Sequence, residues 1–186
     1  MRIVYLHGFN SSPRSHKAVL LERALAERGL AGHYACPALP PLASEALARI
    51  EPLLDRDTCL VGSSLGGFYA TWLAETYALK AVLINPAIEP HVGLRAYLGP
   101  QQNLYTGERY RLNEAHLREW QALYAPRLTP SRYLLLVETG DEVLDYRKAV
   151  ERYEGCEQVV MQGGDHSLQS FPQHLPRLLR FAGLAS

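Results

Sequence analysis

Cysteine is scarce in this chain. Its three thiols, Cys36, Cys59 and Cys156, stand far apart and in an odd number, which excludes both a disulfide framework and a zinc site built on paired cysteines. All three read as buried thiols. Net charge is absent too: 19 Lys and Arg offset 19 Asp and Glu. No global field therefore favours nucleic acid, an anionic membrane or a polyanionic substrate, and the expected partner is a small molecule. No apolar run is long enough to span a bilayer, and the N-terminus enters Arg2-Ile3-Val4-Tyr5-Leu6 and a glycine turn instead of a secretion signal. A reducing cytoplasm is the expected location. Neither Gly-x-x-x-x-Gly-Lys-Ser/Thr nor Gly-x-Gly-x-x-Gly occurs, which counts against a doubly wound phosphate or nucleotide binder using residues 7–13 as its anion loop.

What is present is alternation. The 186 residues suit one domain with a real core. Short apolar runs at Arg2–Leu6, Gly32–Cys36, Thr58–Val61, Lys80–Ile84, Arg132–Glu138 and Glu157–Met161 alternate with helical periodicity. Ser12 with Pro13, Ser44 and Asp145 stand where helices would begin. Strands separated by amphipathic helices predict a mostly parallel sheet covered on both faces, with ligands at the carboxyl ends of its strands. Residues 86–130 hold no convincing strand and read as a cap or lid insert, in which Asn113 caps a helix bearing Leu112, His116, Trp120, Leu123 and Tyr124.

Ser64 lies in Gly62-Ser63-Ser64-Leu65-Gly66, between an apolar run and a helix-like stretch. A serine hydroxyl is a poor nucleophile unless a tight strand-to-helix turn lifts it clear, and such a turn has no room for side chains two positions either side. The base expected for it is His166, in Gly163-Gly164-Asp165-His166-Ser167 after the last apolar run. The acid is chosen among Asp141, Glu142 and Asp145. Asp141 comes first after its strand and is preferred, Asp145 is the reserve as well as a ready N-cap, and Glu142 is expected to face solvent. The Leu65 and Phe9 amides are the expected oxyanion donors. His7 is expected to hold the Phe9 loop by hydrogen bonding, and Asn10 and Tyr105 are expected substrate contacts.

The opening His7-Gly8-Phe9-Asn10-Ser11-Ser12-Pro13, the elbow Gly62 to Gly67, Ile84-Asn85-Pro86-Ala87, Tyr105-Thr106-Gly107-Glu108-Arg109-Tyr110, Thr139 to Tyr146 and Gly163 to Ser167 span nearly the whole chain in order. On these residues the chain resembles the α/β-hydrolase superfamily and, within it, small bacterial esterases of the YqiA/YcfP type. The resemblance implies one α/β-hydrolase domain over residues 1–186, with a six-stranded parallel sheet of order 2-1-3-4-5-6 and a short helical cap. The superfamily's two leading strands have no counterpart, because the His-Gly turn begins at residue 7. It further implies a triad of Ser64, Asp141 and His166, hydrolysis of carboxylic esters or acyl thioesters, and no metal or organic cofactor. The rival reading is a non-catalytic binding protein on a hydrolase fold, against which every triad position holds a competent residue.

Overall fold

The computed structural model describes residues 1–184. In chain order its strands are β1 (Arg2–Leu6), β2 (Tyr34–Ala35), β3 (Thr58–Ser63), β4 (Lys80–Ile84), β5 (Gly99–Gln102), β6 (Arg109–Leu112), β7 (Tyr133–Glu138) and β8 (Glu157–Met161). The α-helices are α1 (His16–Ala26), α2 (Ala43–Ile50), α3 (Leu65–Tyr77), α4 (Pro90–Gly93), α5 (Glu114–Ala122), α6 (Tyr146–Arg152) and α7 (Phe171–Phe181). Six strands form one sheet in the order β2-β1-β3-β4-β7-β8, with parallel pairing throughout. This is the expected order once the two strands of the insert are left out of the count.

The period of two along each strand divides the core. Val4, Leu6, Leu60, Leu83, Leu135 and Val137 face the layer of α2, α3, α5 and α6. Ile3, Tyr5, Val61, Val82, Leu134 and Leu136 face α1 and α7. Every residue of β3 and β7 is buried, which is why both read as near-continuous apolar runs. Their carboxyl ends lie on either side of β4 in the interior of the sheet, where side chains from several loops converge.

Four local expectations are corrected. Helix α1 begins at His16 with Ser15 at its N-cap; buried Ser12 instead accepts the Arg14 N–H at 3.1 Å in the preceding turn. Leu42, not Ser44, is the N-cap of α2; Ser44 donates its N–H and hydroxyl to Glu119 at 2.8 and 3.1 Å, joining α2 to α5. The insert does contain strands, since β5 and β6 pair antiparallel from Gly99 opposite Leu112 to Gln102 opposite Arg109. Of the thiols, only Cys59 is fully buried; Cys36 and Cys156 are half-buried, and all three are free. Asn113 caps α5 as expected and forms a capping box with His116.

The insert is fastened at several points. Trp120 of α5 is fully buried, donates its indole N–H to the Tyr69 hydroxyl at 2.7 Å and meets Phe9 edge-on at 6.4 Å between centroids. Asn10 donates to Gln101 Oε1 at 3.1 Å and accepts the Tyr110 hydroxyl at 2.8 Å. Asn103 donates to the Ser11 carbonyl at 2.8 Å. Among the described residues no helix is long and apolar enough to cross a membrane.

Candidate active site

Ser64 joins β3 to α3 with φ 55° and ψ −120°, a region that an L-residue occupies only when its surroundings force it there. The turn is pinned on both sides. Ser64 N–H donates to the Ile84 carbonyl at 3.0 Å, and its own carbonyl accepts the Gly67 and Ala87 N–H groups at 2.9 and 3.0 Å. A Cβ on Gly62 would overlap the Gly66 carbonyl, and one on Gly66 would overlap the Leu6 carbonyl. The two glycines are thus a steric condition for the turn, as the motif predicts.

His166 Nδ1 stands 2.8 Å from Asp141 Oδ2. The Asp141 side chain is 1% exposed and that of His166 is 23% exposed. Burial pushes the Asp141 carboxyl up, but hydrogen bonds from His166 and from the Leu144 and Val143 N–H groups outweigh it and hold the carboxyl below its usual value. Its Oδ1 accepts both of those amides at 2.8 Å. An ionised carboxylate accepts only, so Nδ1 carries a proton, and it is Nε2 that bears the lone pair in the neutral form of the ring. Asp145 is the N-cap of α6, accepting the Arg147 N–H. Glu142, expected to face solvent, is exposed but accepts the His166 N–H at 3.0 Å.

Ser64 and His166 line one cleft of about 790 Å³, open mouth included, together with Gly8, Phe9, Lys17 and Tyr105. Among the described residues no hydrogen bond joins Ser64 Oγ to His166, and neither the Phe9 nor the Leu65 N–H has an acceptor. A Cβ on Gly8 would stand 3.2 Å from Ser64 Cβ and 3.7 Å from its Oγ; the loop carrying Phe9 therefore runs directly against the serine. His7 fixes that loop. Its Nε2 accepts the Leu39 N–H at 3.0 Å, so the proton sits on Nδ1, which donates to the Gly8 carbonyl at 3.0 Å. Burial holds the ring below its ordinary pKa and keeps it neutral. Asn10 reaches the cleft wall, but its side chain is engaged with the β5–β6 hairpin; Tyr105, at the tip of that hairpin, stands at the mouth.

Two further residues at strand ends hold the loop that carries His166. Glu138, 2% exposed, closes β7 and accepts N–H groups from Asp165, Gln169 and Ser170 at 2.8, 3.1 and 2.8 Å. Burial pushes its carboxyl up, but the Ser170 hydroxyl and these amides outweigh that and hold it below the usual range. Asn85, just after β4 at φ 39°, donates to the Asp165 and His166 carbonyls at 3.2 and 3.1 Å and accepts the Glu138 N–H at 3.1 Å. The signal available in sequence was an acid ending an otherwise apolar strand and an Asn-Pro directly after another. Among the described residues no cluster of His, Cys, Asp or Glu has the makings of a metal site.

The parallel sheet, the strained serine turn after its third strand and the helices on both faces make up the α/β-hydrolase fold. The mouse α/β hydrolase domain-containing protein 10 superposes with a TM-score of 0.70 at 16% identity, covering 97% of this chain and 89% of that one. One of two metagenome-derived lipolytic enzymes, LipS and LipT, gives 0.69 at 19% identity over 97% and 92%. More narrowly, the chain belongs to UPF0227, an uncharacterised protein family whose sequence model matches residues 2–183. A UPF0227 protein of Vibrio vulnificus (strain CMCP6) is 26% identical over 188 residues, covering 96% of this chain and 97% of its own length.

Proposed function

We propose that this protein is a serine hydrolase that cleaves carboxylic esters or acyl thioesters through an acyl-enzyme on Ser64. The observation that carries this reading is the strained Ser64 turn facing the same cleft as a His166 whose Nδ1 is held by Asp141 at 2.8 Å. His166 Nε2 takes the Ser64 proton as the hydroxyl attacks the substrate carbonyl; the carbonyl oxygen becomes an oxyanion held by the Phe9 and Leu65 amides. The imidazolium, steadied by Asp141, returns the proton to the departing alcohol or thiol, and water repeats the cycle on the acyl-enzyme. The serine–histidine contact, open in the free enzyme, tightens when substrate fills the cleft, a common behaviour of catalytic hydrogen bonds. No cofactor enters these steps.

The lipolytic activity named for one structural relative agrees with an ester substrate. The cleft is open and moderate in volume, which favours short or medium acyl groups. A panel of p-nitrophenyl esters of graded chain length, run beside acyl-CoA substrates, tests the reading. Turnover by the wild type that Ser64→Ala abolishes is expected. Absence of turnover across both series, together with a stoichiometric partner bound equally well by Ser64→Ala, would favour a binding protein on a hydrolase fold instead.

A further inference from the structure

The segment that presents His166 has no secondary structure of its own, yet every backbone polar group from Asp165 to Ser167 is engaged by a side chain. Asp165 N–H goes to Glu138 and its carbonyl to Asn85; His166 N–H goes to Glu142 and its carbonyl to Asn85. Ser167 N–H goes to the Asp165 carboxylate at 2.8 Å and its carbonyl to Lys17 Nζ at 2.8 Å. Glu138 also takes the Gln169 and Ser170 amides and Asn85 the Glu138 amide, so these two connect the loop to the carboxyl ends of β7 and β4. The glycines before the histidine have a matching reason. A Cβ on Gly164, which sits at φ +70°, would overlap the Glu138 carboxylate, and one on Gly140 would overlap the Gly164 carbonyl.

We propose that Glu138 and Asn85 are a pair of positioning residues that dock the 165–170 loop onto the sheet and thereby fix the His166 ring between Asp141 and the Ser64 side of the cleft. Neither touches a reacting atom; each acts through the loop backbone. The chemistry needs these two side-chain types. Glutamine at 138 would turn an amide NH2 toward N–H groups that only an acceptor satisfies, and alanine at 85 would leave the His166 carbonyl and the Glu138 N–H unpaired and the Asp165 carbonyl with the Leu168 N–H alone. The inference rests on the proposed role of His166 for its catalytic meaning, but the docking itself does not.

The test uses Glu138→Gln and Asn85→Ala in the full chain, with Ile50→Ala as a core variant remote from the loop. Amide hydrogen exchange over 165–170 and the NMR signal of the His166 Nδ1 proton report the docking; kcat and KM for the best ester report its consequence. Exchange over the loop should accelerate and the Nδ1 proton signal should broaden or vanish in both variants, while Ile50→Ala leaves them unchanged. A loss in kcat of roughly 10- to 100-fold with KM within about threefold is expected, since a misplaced catalytic group lowers the chemical step more than binding. Wild-type loop protection and wild-type kcat in both variants would overturn the proposal. So would a fall in kcat that Ile50→Ala reproduces at equal loss of melting temperature. Should the wild type hydrolyse nothing while the loop exchange still responds, the hydrolase reading falls and the docking stands. An active wild type whose variants match it gives the opposite result.

Discussion

Ser64 holds φ 55° because its neighbours leave no other path, and the most sensitive of them are glycines. Gly66→Ala would drive a methyl group into the Leu6 carbonyl, an overlap between two backbones that no rotamer change relieves. It should lower unfolding free energy by at least ~2 kcal/mol, read as a reduced urea midpoint at unchanged slope; a wild-type midpoint would refute the steric account. His7→Ala removes one acceptor and one donor from Leu39 N–H and Gly8 C=O. It should cost about 1–3 kcal/mol and lower kcat more than it raises KM, because the Phe9 amide loses its support. Loss of stability with unimpaired kcat would confine His7 to the fold. At this scale the placement was legible: Ser64, Asp141 and His166 each follow an apolar run, and the structure puts His166 against Asp141 and on the same cleft as Ser64. Glu138 was hidden because it ends such a run and reads as strand, and Asn85, although part of a recognisable stretch, had no visible role because Asn-Pro reads as a turn. Their partners are backbone amides and carbonyls, which carry no residue-type signal.

Helix α5 carries Trp120 down onto Phe9 and Tyr69, so a cap element braces the loop offered as half of the oxyanion site. Trp120→Ala should cost about 3–5 kcal/mol through the cavity it leaves. Trp120→Phe, which keeps most of the packing but loses the indole donor, should retain the fold and show a smaller kcat deficit. Equal kcat in Trp120→Phe and wild type, with a normal melting temperature, would show that the indole hydrogen bond does nothing for catalysis. The return from the cap into β7 has its own anchor: Glu75 accepts the Thr129 N–H at 2.7 Å, the Tyr133 hydroxyl at 2.6 Å and Arg132 at 2.6 Å. Elements with strong periodicity were legible, β1 and β4 to the residue. The β5–β6 hairpin was not, since Gly99-Pro100-Gln101-Gln102 lacks both β-branched residues and apolar alternation and is held by pairing with Arg109–Leu112. The start of α1 was misplaced because Ser12-Pro13 imitates a helix start while the turn at Ser12–Ser15 uses the same residue types.

Across the whole molecule, buried titratable groups set a stability window. Burial holds His7 and His174 below the ordinary histidine value of 6.5. The unfolded chain therefore takes up protons first, and the stability these neutral rings contribute is complete above pH 6.5 and declines below it. Glu75, Glu138 and Asp141 are also depressed, through hydrogen bonds that outweigh burial, so a further loss follows as pH falls below the ordinary carboxylate range near ~4. On the alkaline side burial pushes Cys36 and Cys59 from 9.0 up to about 12; the unfolded chain ionises first, and stability is lost as pH rises above 9.0. Denaturation midpoints should be greatest between pH 6.5 and 9, and a midpoint that rises from pH 7 to 5 would contradict the assignment. The same convergence that builds this core brings residues 64 and 166 to one cleft with 141 held behind 166, and a fluorophosphonate probe followed by peptide mass spectrometry tests the proposed use of that arrangement directly. One adduct per chain is expected, on Ser64, absent in Ser64→Ala and formed at least ~100-fold more slowly in His166→Ala. A folded wild-type protein that stays unlabelled, or is labelled at another residue, would contradict it.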